Sequence, residues 1–84
     1  MTKILYFARM RQIAGRAGET LDIPPEVVTL RDLIAHLIAR DPGLASAFAD
    51  ERIIRAAINR AHVLLDTPVA GADEIAFFPP VTGG

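Results

Sequence analysis

Cysteine and histidine, side chains often used as nucleophiles, bases and metal ligands, are scarce in this 84-residue chain. There is no cysteine, which excludes disulfides, Cys-based metal sites and any thiol or persulfide carried on a side chain. The two histidines, His36 and His62, stand at no metal-ligand spacing. His36 is expected on an exposed helix face and His62 in a turn, both as ordinary surface residues. No Ser-His-Asp, Cys-His or paired-carboxylate constellation is visible. The group left for chemistry is the end of the chain, the α-carboxyl of Gly84. A free α-carboxyl ionises at about pH 3.3–3.7, so at neutral pH it is a carboxylate and a poor acyl donor.

The residues ahead of Gly84 read as a device for presenting that group. Glu74 to Phe78 is a short β-prone run that needs neighbouring strands and a buried face. Pro79 and Pro80 remove two backbone donors and fix φ near about −65°, so no central strand continues through them. Residues 79–84 are therefore expected as an extended tail, with a reach of roughly 19 Å at about 3.1 Å per residue. Val81 and Thr82 follow the prolines, and Gly83 and Gly84 bring no Cβ to obstruct a narrow slot. Phe77 and Phe78 must point to opposite sides of their strand. Only one can face a core, so Phe78, next to the tail, is expected to be partly exposed and covered by a partner.

Composition bounds the rest. With 51% apolar and 23% charged residues the chain is globular, and it is read as one domain spanning 1–84. A core of this size is modest, since folding near it buries only about 60% of the unfolded surface. Nine basic and ten acidic residues give a net charge of −1, with no basic surplus to drive binding to nucleic acid or an anionic membrane. No apolar run approaches the length of a membrane span. Met1-Thr2-Lys3 leads into a strand-like run without a signal-peptide pattern, so the cytoplasm is the expected compartment.

Lys3 to Ala8 is a continuous apolar run expected as a covered strand, its inward parity open. Arg9 to Gly15 comes next, then a polar, Gly-containing stretch to Glu19. Arg9 and Arg11 lie two apart and would project the same way if extended, as an anion or partner contact or as a solvated loop. Glu19 to Ile23 alternates as a half-buried strand, ended by Pro24-Pro25. Leu30, Leu33, Ile34, Leu37 and Ile38 then form one helical stripe. Thr29 is its N-cap, with Asp32 three residues on, and Asp41-Pro42-Gly43 stops it. Leu44, Ala45 and Phe48 suggest a short second helix. Residues 52–58 read as a strand, with Ile54, Ala56 and Ile58 on one face and Arg55 and Ala57 on the other. Asn59-Arg60 reads as a turn tolerating positive φ, and Val63 to Leu65 as a short strand. The expected fold is α+β: a mixed sheet of about five strands with one main helix across it, the β-grasp arrangement, leaving the far sheet face for partners.

The run Phe77-Phe78-Pro79-Pro80-Val81-Thr82-Gly83-Gly84 resembles the C-terminal signature of the molybdopterin synthase small-subunit family, ubiquitin-like sulfur carriers. The likeness extends over the whole chain, including Arg11, Gly15 and the Ala56-Ala57-Ile58-Asn59 strand end. Ala72 departs from the glycine usual before Asp73-Glu74, which puts the backbone of that turn in question. The resemblance implies a cycle at Gly84. An adenylating, ubiquitin-activating-like enzyme activates the carboxyl with ATP, and sulfur transfer makes a thiocarboxylate. The tail (Pro79, Pro80, Val81, Thr82, Gly83) enters the large subunit, in a heterotetramer of two small and two large subunits. Sulfur passes there to a cyclic pyranopterin precursor of the molybdenum cofactor. Phe78 and Arg11 are the implied partner contacts. No cofactor is held permanently, no metal is bound, and the chain is catalytic only within the complex. With no cysteine present, sulfur would have to ride on the terminal carboxyl. Other readings of the same tail are a sulfur carrier for thiamin or cysteine synthesis, a ubiquitin-like modifier joined to lysines through Gly84, and a plain binding domain with an incidental end.

Overall fold

The computed structural model describes residues 1–80; Val81, Thr82, Gly83 and Gly84, and the tail expectations that fall on them, lie outside the described residues. The chain runs β1 (Thr2–Tyr6), α1 (Ala8–Ala14), β2 (Gly18–Leu21), α2 (Leu30–Arg40), two 3-10 turns (Pro42–Ser46 and Glu51–Ile53), β3 (Arg55–Ile58), β4 (Ala61–Val63) and β5 (Glu74–Phe78). The strands form one mixed sheet in the order β2-β1-β5-β3-β4. β5, last in sequence, is central in space: it runs parallel to β1 on one side and antiparallel to β3 on the other. This is the ubiquitin-like β-grasp architecture, α+β as expected.

The register divides the sheet into two faces. Ile4 pairs with Ile75, and Tyr6 with Phe77, which pairs in turn with Ala56 opposite Val63. Strand alternation puts these residues on one side, where Ile4, Tyr6, Ile75, Phe77 and Ala56 are buried in the core. The apolar stripe of α2 covers them through Leu30, Leu33, Ile34 and Leu37. Each such side chain contributes about 1.5–3 kcal/mol when fully buried. Phe48 closes the core from the side, its ring edge-on to Phe77 at 5.1 Å. The parity of β1, open from the sequence, is thus Ile4 and Tyr6 inward, Lys3 and Leu5 outward.

Local signals explain most boundaries. Thr29 Oγ1 accepts from the Asp32 N–H at 3.2 Å while the Asp32 carboxylate accepts from the Thr29 N–H at 3.1 Å, a complete capping box. The Thr29 N–H, together with the Val28 N–H that donates to the same carboxylate, holds the Asp32 carboxyl below the usual carboxylate range. Asn59 and Arg60 both take positive φ (49° and 72°), the geometry of a two-residue type I′ hairpin between β3 and β4. Asn59 Oδ1 also accepts from the Asp73 and Glu74 N–H groups at 3.1 and 3.0 Å, fixing the start of β5. The Ala72 question is answered one residue earlier. Gly71 takes the positive φ (77°), leaving Ala72 buried, its N–H donating to the Val69 carbonyl and its own carbonyl accepting from Thr2 Oγ1.

Five expectations are corrected. The segment carrying Arg9 and Arg11 is neither extended nor a loop: α1 occupies Ala8–Ala14, with Met10 buried and Ile13 and Ala14 packed on the core at i+3 and i+4. In a helix Arg9 and Arg11 diverge by about 200° rather than projecting together. β1 stops at Tyr6 instead of Ala8, because Ala8 turns into α1 with φ 52°, a left-handed conformation costing about 1–2 kcal/mol in a non-glycine residue. β3 begins at Arg55 rather than Arg52, since Asp50 accepts from the Arg52 N–H and winds Glu51–Ile53 into a 3-10 turn. β4 is Ala61–Val63, not Val63–Leu65, so His62 lies in a strand and not in a turn. The expected second helix is a 3-10 turn at Pro42–Ser46, holding Leu44 buried and Ala45 exposed.

Candidate functional site: the outer sheet face and the root of the tail

The tail departs from the middle of the sheet. β5 ends at Phe78, and Pro79 and Pro80 follow, both partly buried. Phe77 is completely buried and Phe78 is partly exposed, as alternation requires. Phe78 faces the side of the sheet away from α2, opposite Arg55 on β3. The same register puts Lys3, Leu5, Glu74, Ala76, Ala57 and His62 on this outer face. Its middle is apolar and low: Ala57 and Ala76 are small and are themselves buried. Around the tail root stand larger rings. Phe7 follows Tyr6 in extended conformation, donates its N–H to the Phe77 carbonyl at 3.1 Å and is 47% exposed. The His62 ring rests against Phe78 with centroids 5.2 Å apart and planes tilted by 58°.

Of the residues expected to act, Phe78, Pro79 and Pro80 are brought to one place. Gly84, Gly83, Thr82 and Val81 lie beyond the described residues. Arg11 is exposed on α1 and lines an open hollow of about 510 Å³ with Ala8, Gln12, Gly15, Arg16 and Ala17. None of the ion pairs among the described residues includes Arg11. Two contributors to the face escaped the sequence reading. Phe7 was hidden inside a continuous apolar run. His62 was hidden by placing β4 two residues late; the Asn59-Arg60 hairpin counted forward one residue at a time would have found it.

A polar cluster braces the neighbouring edge. Tyr6, buried beneath β2, donates its hydroxyl to Glu19 Oε2 at 2.7 Å. Arg16 donates to the same oxygen at 2.6 Å and to Asp41 Oδ2 at 3.0 Å, and its guanidinium lies over the Tyr6 ring. Burial pushes the Glu19 carboxyl up, but the bonds from Arg16 and Tyr6 together outweigh it and hold the group below its ordinary range. Burial first, then Glu19, raises the Tyr6 phenol well above its usual value. The cluster ties β1, β2 and the end of α2 into one support for the strand beside β5. Among the described residues no group of acidic or histidine side chains could hold a metal ion. Nor is any helix there long and apolar enough to cross a membrane.

A small β-grasp domain whose central strand runs out into Phe-Phe-Pro-Pro-Val-Thr-Gly-Gly defines a class of carrier proteins, and comparison with known proteins agrees. The chain belongs to the ThiS family, whose model matches residues 4–84. It is 37% identical to the molybdopterin synthase sulfur carrier subunit of Escherichia coli, with all of both chains aligned. It is 34% identical to the human protein of the same name, over 98% of this chain and 92% of that one. Among solved structures it is similar to small archaeal modifier protein 1 of Haloferax volcanii, with a TM-score of 0.77, 26% identity and 95% and 97% of the two chains covered.

Proposed function

We propose that this chain is the sulfur carrier subunit of a molybdopterin synthase. The observation that carries the reading is the position of β5: the strand held on both sides by the sheet is the one that continues into the Gly-Gly end. The full-length likeness to named sulfur carrier subunits supports the same reading. On an adenylating enzyme, a carboxylate oxygen of Gly84 attacks the α-phosphate of ATP and pyrophosphate leaves. A sulfide-level sulfur nucleophile then attacks the acyl carbon and expels AMP, leaving a thiocarboxylate. Within the synthase that sulfur attacks the cyclic pyranopterin precursor, and water cleaves the remaining acyl–sulfur bond to restore the carboxylate. ATP belongs to the activating enzyme, and this chain holds no cofactor of its own. Its contribution is a rigid mount, a narrow end and the outer face with Phe78 against the large subunit, as part of a cytoplasmic heterotetramer.

Intact-mass measurement of the chain purified from its host tests the reading. Exchange of one oxygen for sulfur at the C-terminus is the expected result. A chain that carries no sulfur in cells actively making molybdopterin refutes it. The likeness to an archaeal modifier protein favours one second reading, conjugation to lysines through Gly84. Heavier protein ladders that disappear when Gly84 is deleted would mark that activity.

A further inference from the structure

We infer that, of the two prolines, Pro79 is the one that releases the chain from the sheet at the end of β5, by withholding the N–H that the Phe7 carbonyl would otherwise take. The inference rests on the carrier reading above for its use, an end that must be free to enter a partner. Its geometry comes from the ladders. Along the parallel pair β1–β5, Lys3 donates its N–H to the Asp73 carbonyl at 2.9 Å and Phe7 donates to the Phe77 carbonyl at 3.1 Å. In a parallel ladder the carbonyl of each such residue accepts from the N–H two positions further along the partner strand. For Phe7, extended at φ −120° and ψ 153°, that donor would be the N–H of residue 79. Proline has none.

The Phe7 carbonyl goes to α1 instead. It accepts from the Met10 N–H at 3.1 Å and, less closely, from the Arg11 N–H at 3.4 Å. Reaching those donors takes the left-handed turn at Ala8, φ 52°, which is strained in a residue with a Cβ. Two arrangements thus compete for one carbonyl. In one, β1 runs on through Ala8 and bonds residue 79; in the other, α1 starts at once and the chain leaves β5. An N–H at position 79 would give the first arrangement its bond and relieve the turn. Pro79 takes that bond away and so selects the second.

Pro80 has no such rival to suppress. On the β3 side the bonded pairs step by two from Asn59, whose N–H donates to the Glu74 carbonyl at 2.8 Å, through Ala57 and Ala76 to Arg55 and Phe78. The next pair would join residue 80 to Ile53. Ile53 is wound into the 3-10 turn Glu51–Ile53, with its N–H given to the Asp50 carbonyl at 3.1 Å, so no strand stands there to pair with. The donor missing at Pro80 has no rung to make, whereas the one missing at Pro79 does.

The test uses full chains carrying Pro79→Ala, Pro80→Ala, or N-methylalanine in place of Pro79, the last made by ligating a synthetic C-terminal peptide. N-methylalanine lacks both the ring and the N–H, so it separates stiffness from the missing donor. The new amide of Pro79→Ala should exchange its hydrogen about two- to tenfold more slowly than the new amide of Pro80→Ala, the protection of one net hydrogen bond. The Met10 and Arg11 amides of Pro79→Ala should exchange faster than in wild type. The adenylating enzyme then meets an end that is released only part of the time. Its KM for Pro79→Ala should rise by about the same two- to tenfold factor while kcat holds, and N-methylalanine should restore the wild-type KM. Equal exchange at the two new amides, or N-methylalanine behaving like alanine, overturns the inference and leaves the carrier reading intact. Failure of the wild-type chain to be adenylated overturns the carrier reading, while the exchange rates still decide the geometry.

Discussion

Replacing Phe77 or Phe78 by alanine should separate stability from docking at two adjacent positions. Phe77 is fully buried between Tyr6 and Ala56 and meets Phe48 edge-on. Its truncation should cost about 3–5 kcal/mol, a large share of the roughly 5–15 kcal/mol that holds a domain of this kind together. At about 4–8 °C per kcal/mol, Tm should fall by roughly 12–40 °C. Phe78 buries only part of its ring and rests against His62, and its removal should cost about 1 kcal/mol. For binding the order reverses. An aromatic anchor covered at the centre of an interface contributes about 2 kcal/mol or more, close to a 30-fold change in Kd. Thermal melts and calorimetric titration with the large subunit, on both variants, give the four numbers needed. Similar Tm losses for the two variants, or a Kd for Phe78→Ala within about threefold of wild type, would refute the division of the sheet into a core face and a docking face.

Three further outcomes are expected. One residue added after Gly84 displaces the reacting carboxyl by about 3.3–3.6 Å, and Gly83→Val adds a branched side chain. Both should melt normally yet form no thiocarboxylate in an ATP–pyrophosphate exchange and intact-mass assay, since even a 1 Å misplacement can cost about 10²-fold. Gly18→Ala places a Cβ 2.4 Å from the Ile4 carbonyl oxygen, so β1 and β2 must part. Urea unfolding should show a loss of about 1–3 kcal/mol. Glu19→Gln should lower stability at neutral pH by about 1–3 kcal/mol, because charge-assisted bonds from Arg16 and Tyr6 are weakened. The folded-state carboxyl is depressed, so its stabilisation is present above the ordinary glutamate value of about 4.3 and is lost as pH falls through the lower folded value. The gap between wild type and Glu19→Gln should close across that acidic window.

What the sequence made legible was whatever carried its own period or its own turn chemistry. The α2 stripe repeats at helical spacing and has a capping pair, and both are realised. Asn59-Arg60 advertised positive φ, and the backbone takes it. The opposed directions of Phe77 and Phe78 followed from strand alternation alone. The failures share a cause: boundaries set by three-dimensional context. α1 has no side-chain cap at Phe7, no acidic residue in its first turn and a strained first residue at Ala8. Its end was the readable part, since Gly15 closes it in the left-handed conformation that glycine favours. Ile53 and Leu64 looked like strand residues by type, yet they are 40% and 80% exposed beyond the strand ends. The outer face could not be read from any one segment. It is assembled from four strands, and only their register brings Phe78 to His62.

The central position of β5 also determines how the domain bears load. On the carrier function proposed above, the end would be lodged in one partner and then freed for another, and the domain would be pulled each time through Pro79. Because β5 is laced to β1 along one edge and to β3 along the other, a pull along its axis meets two ladders in shear, their hydrogen bonds sharing the force. An edge strand pulled the same way would have only one ladder to resist, and one peeled sideways would break its bonds in succession. The domain is thus toughest along the line on which its end is handled. On that proposal, a pull that withdrew the end from a partner would leave the protein behind it folded.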